Sequence, residues 1–444
     1  MADTADPGAA AKVLLVEPHE VGPLVASCGL TFVTFTACFI LRPIRDAIQS
    51  EQHLSTELPW VVTATLVAMF AASMLFSLLA SRLPRRAVLP VTLELFALST
   101  IAFHLVFRSL TGDAAAMAAK AFYVWFSVAN LLAISTAWSV ITDAFTVDQS
   151  RRLFGRISIG STVGAMSGSA ISAFLSKSTF LSEVPLGTNA LLLISAALLQ
   201  VAAALGWYVS GLRRTNAHVQ ADRGGERIGG GVLDGLRALG TQPYLLLIAG
   251  YILLYTVTST VLSIQQSSIL ARVFVADDPA AARAARTAFS ANITLVSNII
   301  VLVTQLAVAA HVTRWLGVRR TLFVTPIITL GGFLLLAWRE TTTTLMIATV
   351  ARSSMHYAID RPSREALYSP LDRELKYKAK NLIDTFVYRG GDALTTWAIA
   401  FLAGGPALVA ATIGAAVAWL GVAAPLGRFY DRRTNSAQDR KPAE

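Results

Sequence analysis

Apolar stretches about twenty residues long, separated by short basic turns, recur along almost the whole chain. This pattern constrains the fold more than any other feature. A helix of about 20 residues crosses the ~30 Å hydrocarbon layer of a bilayer and satisfies its own backbone there. Hydropathy places such helices at 22–42, 58–80, 87–107, 117–143, 153–176, 187–210, 243–270, 287–312, 318–338, 342–360, 379–403 and 405–426. The expected fold class is an all-α polytopic membrane protein with about twelve transmembrane helices. Charged residues are 14% of the 444, well below the roughly 25% of soluble domains. No ten-residue alternation of the membrane-barrel kind is present. Residues 1–20 carry four acids and one lysine, unlike the basic start of a secretory leader.

The net charge of +10 does not point to nucleic acid, because the basic residues sit between apolar segments rather than on one soluble face. With the N-terminus in the cytoplasm, the cytoplasmic side receives 26 Lys/Arg and the outer side 9. That bias fits both the helix count and the orientation. The Gly- and Arg-rich stretch 211–242 reads as a linker. It separates an N-terminal segment (1–21) and a six-helix half (22–210) from a second half (243–426) and a tail (427–444). The basic turn Ser81–Arg86 follows the second helix, and Thr313–Arg320 follows the eighth. Such internal repetition is how one class of transporters is built. Cys28 and Cys38, ten residues apart on one helix, lie about 15 Å apart along its axis, too far for a disulfide.

Ionisable groups inside apolar helices need a reason to be there. The tenth helix carries Arg352, His356 and Asp360 at i, i+4 and i+8, on one face. The eleventh carries Lys380 with Asp384 and Arg389 with Asp392, each spaced as an intrahelical pair, and Gly390–Gly391 permits close approach or a local break. The first helix ends in Arg42, Arg45 and Asp46 around Pro43, which is expected to kink or end it. The seventh helix shows a stripe of Tyr251, Tyr255, Thr258, Ser259, Ser263 and Gln266. The fourth shows Tyr123, Ser127 and Asn130, and the eighth Asn298 and Gln305. Glu94 is a candidate proton site. Each of these groups also suits helix–helix packing, where small polar residues act as glue.

The substrate-contact candidates are Arg42, Arg45, Tyr123, Asn130, Tyr255, Gln266, Asn298, Arg352, His356 and Arg389. Asp46, Asp143, Arg152, Asp360, Arg364, Lys380, Asp384 and Asp392 are expected in gating or structural ion pairs. Cations dominate this set, and guanidinium groups favour carboxylate or phosphate. A small organic anion is therefore the expected cargo. No GxxxxGK[ST] phosphate loop supplies ATP hydrolysis as a motor, so exchange or an ion gradient is expected to drive movement. A proton-coupled carrier of an unrelated metabolite is the alternative, and a non-transporting membrane scaffold a further one. A membrane enzyme is disfavoured, because no catalytic grouping is visible. No cofactor and no metal are expected.

Several motifs carry a family resemblance. They are Phe39-Ile-Leu-Arg-Pro-Ile-Arg-Asp46; Ala137-Trp-Ser-Val-Ile-Thr-Asp143 with Asp148-Gln-Ser-Arg-Arg-Leu-Phe-Gly155; and Asp360-Arg-Pro-Ser-Arg-Glu365 with Tyr368-Ser-Pro-Leu-Asp372, Lys376-Tyr-Lys-Ala-Lys380, Asp384 and Arg389-Gly-Gly391. Tyr255–Thr260 and Arg286–Phe289 add to these. Over about residues 22–426 the chain resembles the bacterial branch of the ATP:ADP antiporter family. The resemblance implies a major-facilitator-like fold of two six-helix halves and nucleotide exchange, with basic residues at the positions of Arg45 and Arg389. It also implies an acid early in the fourth helix, where this chain reads Tyr123–Asn130 without one. The partners implied are a lipid bilayer and a small anionic solute, ATP/ADP or another nucleotide among them. The setting implied is a bacterial inner membrane with cytoplasmic termini, the protein acting as a monomer.

Overall fold

The computed structural model describes residues 16–51, 57–145, 147–176, 187–212, 242–307, 317–368, 370–371, 383, 387–402 and 405–438. Among these every regular element is a helix. The helices are Val21–Gln49 (α1), Leu58–Arg82 (α2), Arg85–Ser109 (α3), Gly112–Ala144 (α4), Val147–Leu175 (α5) and Gly187–Leu212 (α6). They continue with Pro243–Val273 (α7), Pro279–Ala307 (α8), Val324–Trp338 (α9), Thr342–Met355 (α10), Arg361–Ala366 (α11), Tyr388–Leu402 (α12) and Gly405–Gln438 (α13). Ten helical stretches among the described residues are long and apolar enough to cross a membrane. The segment α10–α11 and α12 occupy the two remaining positions expected from hydropathy.

Two boundaries moved for identifiable reasons. α1 does not stop at Pro43 but runs through it to Gln49. Ile44, Ala47 and Ile48 beyond the proline are fully buried, and that burial outweighs the backbone bond that proline removes. α8 begins at Pro279 rather than near 287. Asp278 caps it, its carboxylate accepting from the Ala280 N–H at 2.9 Å and the Ala281 N–H at 3.3 Å. An Asp before a Pro at the first helical position is a helix start readable from sequence.

The chain forms two compact units. One comprises Met1–Arg45, Val67–Glu226 and Asp278–Asn292; the other comprises Asp46–Leu66, Arg227–Asp277 and Ile293–Glu444. In the first, α3 packs on α6 and α4. Leu89 and Leu93 of α3, Phe122 of α4 and Leu191 and Leu199 of α6 are wholly buried. α5 lies directly on α1. A Cβ on Gly160 would stand 2.6 Å from the Cys28 carbonyl oxygen, and one on Gly164 or Gly168 would collide with the carbonyls of Phe32 and Thr36. Glycine at every fourth position thus lets the two backbones touch. The Thr31 hydroxyl bridges them, within 3.2 Å of the Ile157 carbonyl.

In the second unit, α7 supplies the spine of the core. Tyr244, Leu245, Ile248, Tyr251, Ile252 and Tyr255 recur at helical spacing and pack with Leu322, Leu367, Trp419, Ala423 and Leu426. Gly391 of α12 sits against Leu253 and Thr256 of α7, where an added Cβ would stand 3.0 Å from Leu253. The close approach expected of the Gly390–Gly391 pair is therefore made by Gly391.

Candidate functional site

Arg352 lies in the last turn of α10, which ends at Met355. The chain then widens into a π-turn over His356–Asp360, in which the Arg361 N–H reaches back to the His356 carbonyl. The widening sits directly before Pro362. A proline supplies no backbone N–H, so one regular helical bond is missing there. Widened turns of this kind often mark functional sites. Here the turn, continued by α11, turns His356, Asp360 and Arg364 inward.

Arg352 is 5% exposed. Its Nη1 donates to the Ser259 hydroxyl at 3.3 Å, and its Nη2 to the Tyr255 carbonyl at 3.2 Å. Its Cζ lies 4.9 Å from the centre of the Tyr255 ring. Its Nε is buried with no hydrogen bond among the described residues. No carboxylate lies within 4 Å of it among the described residues. A buried guanidinium that meets only neutral partners is costly to keep.

Asp360 is in the opposite condition. It is fully buried, and its carboxylate is well supplied. The Tyr251 hydroxyl stands 2.7 Å from Oδ1, His356 Nδ1 2.9 Å from Oδ2, and Arg364 Nη1 4.0 Å from Oδ2. The Tyr251 hydroxyl is also 2.9 Å from the Leu322 carbonyl. Pro326, four residues on, cannot bond that carbonyl, so Tyr251 serves two needs with one proton. Tyr251→Phe is expected to destabilise the protein by about 1–2 kcal/mol by leaving both acceptors short. Thermal unfolding of the purified protein measures this.

Arg364 was expected in a gating or structural ion pair, and it stands 4.0 Å from Asp360. Its side chain is only 13% exposed, and its buried Nε makes no hydrogen bond among the described residues. Its Cζ lies 5.1 Å from the same Tyr255 ring that Arg352 covers, and His356 stacks on that ring at 4.3 Å. Tyr388 and Trp419 complete the aromatic surround. Arg389, 37% exposed, rests on Tyr388 and stands 3.6 Å from Asp392, which accepts from the Thr260 hydroxyl at 2.7 Å.

The structure therefore gathers Arg352, His356, Asp360, Arg364 and Tyr255 into one cluster, with Arg389 and Asp392 next to it. The seventh-helix stripe faces α10 through Tyr251, Tyr255 and Ser259, whereas Ser263 meets Gln49 at 3.2 Å. In the other unit, Arg45 lies over the Tyr123 ring at 5.3 Å and Arg42 over Phe39 at 5.3 Å. Asn298 is half-buried with Nδ2 unpaired. Asn130 and Gln266 are half-buried and add nothing to the cluster. Glu94 and Asp143 are exposed, and Asp46 is half-buried. The side chain of Arg152, together with Lys380 and Asp384, lies outside the described residues. Tyr388 and Trp419 were missed by sequence reasoning. Arg364's inward position was missed too, although Pro362 signalled an irregular turn there.

One group of metal-type donors occurs among the described residues: Glu17, His19 and Glu20, with ligand atoms within 4.8 Å of one another. Glu20 is already engaged, accepting from the Glu17 N–H at 3.1 Å at the start of α1. In the Arg352 cluster the described side chains are two guanidinium groups around an aromatic ring, with one buried carboxylate and no nucleophile–base pair.

No curated protein matches this sequence. Among solved structures, the nucleoside transporter NupG is similar at 12% identity with a TM-score of 0.53, over 93% of this chain and 99% of the other. The POT family transporter PepTSo is similar at 12% identity with a TM-score of 0.57, over 96% and 100%. An auto-inhibited POT family peptide transporter gives 12% and 0.58 over 93% and 97%. These likenesses concern the fold. Residues 27–357, which include Arg352 and His356, match the description of one family directly. The chain belongs to the Major Facilitator Superfamily.

Proposed function

We propose that this membrane transport protein is a secondary active transporter that carries a small organic anion by alternating access of its two six-helix halves. The observation that carries the reading is Arg352: a guanidinium 5% exposed, hydrogen-bonded to a hydroxyl and a carbonyl, and facing no carboxylate among the described residues. A scaffold would gain by neutralising such a charge. A carrier gains by leaving it for its cargo. Arg364, beside the same ring, adds a second guanidinium with an unspent N–H.

Within that class, nucleotides of the ATP/ADP kind are the first candidates. The Asp360–Glu365 and Arg389–Gly391 motifs support this, as does the mixture of guanidinium and aromatic surfaces, which suits phosphate and base together. A nucleoside transporter stands among proteins of like fold. The Lys/Arg bias supports cytoplasmic termini, and the resemblance to the bacterial branch of the ATP:ADP antiporter family supports a bacterial inner membrane.

The test is uptake of labelled ATP, ADP, phosphate and citrate into intact cells expressing the protein, with thermal stabilisation of the purified protein by the same anions. Wild type is expected to take up at least one anion, and Arg352→Gln to lower its affinity about 30- to 150-fold, the loss of roughly 2–3 kcal/mol of charge-assisted bonding. No uptake and no stabilisation by any of the four at millimolar levels contradicts the reading.

A further inference from the structure

Anion capture needs Arg352. It does not need the buried His356–Asp360 pair, one turn away on the same wall of the cluster. A carboxylate only accepts, so the 2.9 Å contact puts the hydrogen on His356 Nδ1 and leaves the lone pair on Nε2. Nε2 makes no hydrogen bond with any described residue. The imidazole keeps 9% of its surface exposed, so the ring is nearly enclosed yet not sealed.

The charges around the ring can be named element by element among the described residues. Arg352 and Asp360 lie on its own segment, and Arg364 follows on α11. α7 presents the phenols Tyr251 and Tyr255, and Tyr357 adjoins the ring. α12 presents Tyr388, with the Arg389–Asp392 pair behind it. α13 contributes only the neutral Trp419. Among the described residues, with a neutral imidazole, two guanidinium groups face one carboxylate, which leaves one positive charge without an acid. A proton on Nε2 would add a second. An anion seated on Arg352 removes the objection to that proton, and the proton in turn strengthens the hold on the anion.

Building on the anion reading, we propose that His356 is the proton acceptor of this transporter. Binding of the cargo anion draws one proton from water onto Nε2, so that anion and proton occupy the cluster together. Asp360 is the positioning residue: it fixes the tautomer and turns the basic nitrogen away from itself. Because linkage is reciprocal, the affinity for the anion falls as pH rises through the range in which bound His356 gives up its proton.

The experiment is calorimetric binding of ADP and of inorganic phosphate to purified wild type, His356→Gln and Arg352→Gln, each in two buffers of different ionisation enthalpy between pH 6 and pH 8. The glutamine variant retains a hydrogen-bond donor toward Asp360 but cannot take a proton. Wild type is expected to absorb about one more proton per bound anion than His356→Gln. Its affinity is expected to fall about tenfold more per pH unit than that of His356→Gln wherever the extra proton is taken up. If wild type binds an anion, loses it with Arg352→Gln, and yet matches His356→Gln in proton uptake and pH slope, proton coupling at His356 is wrong and the anion seat stands. If neither probe binds wild type, or if Arg352→Gln binds as wild type does, the anion seat and the coupling both fall.

Discussion

Replacing Asp360 with leucine is expected to destabilise the protein by about 3–5 kcal/mol, the usual cost of removing one partner from a buried charged network. The carboxylate is fully buried, accepts hydrogen bonds from Tyr251 and His356, and faces the Arg364 guanidinium at 4.0 Å. Without it, the Arg364 guanidinium keeps its charge in a nearly closed site and loses its acid. The Tyr251 hydroxyl falls back on the Leu322 carbonyl alone. Asp360→Asn, which keeps acceptor geometry and loses charge, is expected to fall between leucine and wild type. The melting temperature of purified protein in detergent gives the order. A leucine variant as stable as wild type contradicts the network.

Gly164→Val is expected to cost about 2–3 kcal/mol or more, in the range seen when side chains are forced into packed interiors. Here the obstacle is backbone, which cannot rotate away: the Cβ would meet the Phe32 carbonyl, carbonyl carbon and Cα of α1. The helices must separate, and the Thr31 bond to the Ile157 carbonyl is lost with the contact. Gly155→Val is the matched control on the same helix, because nothing lies within 4 Å of an added Cβ there. Thermal unfolding of the two variants side by side is expected to show a lowered midpoint for Gly164→Val and a wild-type midpoint for Gly155→Val. Equal midpoints contradict the contact.

Much of the architecture was legible because hydrocarbon is an unforgiving solvent. A segment such as 187–210 has one way to satisfy twenty-odd backbone bonds in lipid, and α6 occupies it. Boundaries were less legible where side chains compete with local rules. Pro43 argued for an end to α1, but the burial of Ile44 and Ile48 carried the helix on. The spacing of Arg352, His356 and Asp360 placed them on one face, and the stripe from Tyr251 to Ser259 is the surface that meets them. Periodicity could not supply the π-turn. It lies directly before Pro362, which supplies no backbone N–H, and beyond it Arg364 faces Asp360. The Gly160, Gly164 and Gly168 series was available as small residues four apart. Its meaning depended on which helix lay opposite, and that is a tertiary fact.

The division of labour within the cluster is set by electrostatics. Among the described residues, Asp360 accepts from Tyr251 and His356, whereas Arg352 meets a hydroxyl, a carbonyl and a ring but no carboxylate. A carrier needs both: rigid neighbours that keep a charge aimed, and a charge that its surroundings do not already neutralise.

The most direct measurement of that claim compares ADP with uncharged adenosine for equilibrium binding to wild type and to Arg352→Gln. Wild type is expected to prefer ADP strongly, and Arg352→Gln to lose most of that preference while adenosine binding changes little. If Arg352→Gln holds ADP as tightly and as selectively as wild type, the buried guanidinium is not the seat of the anion.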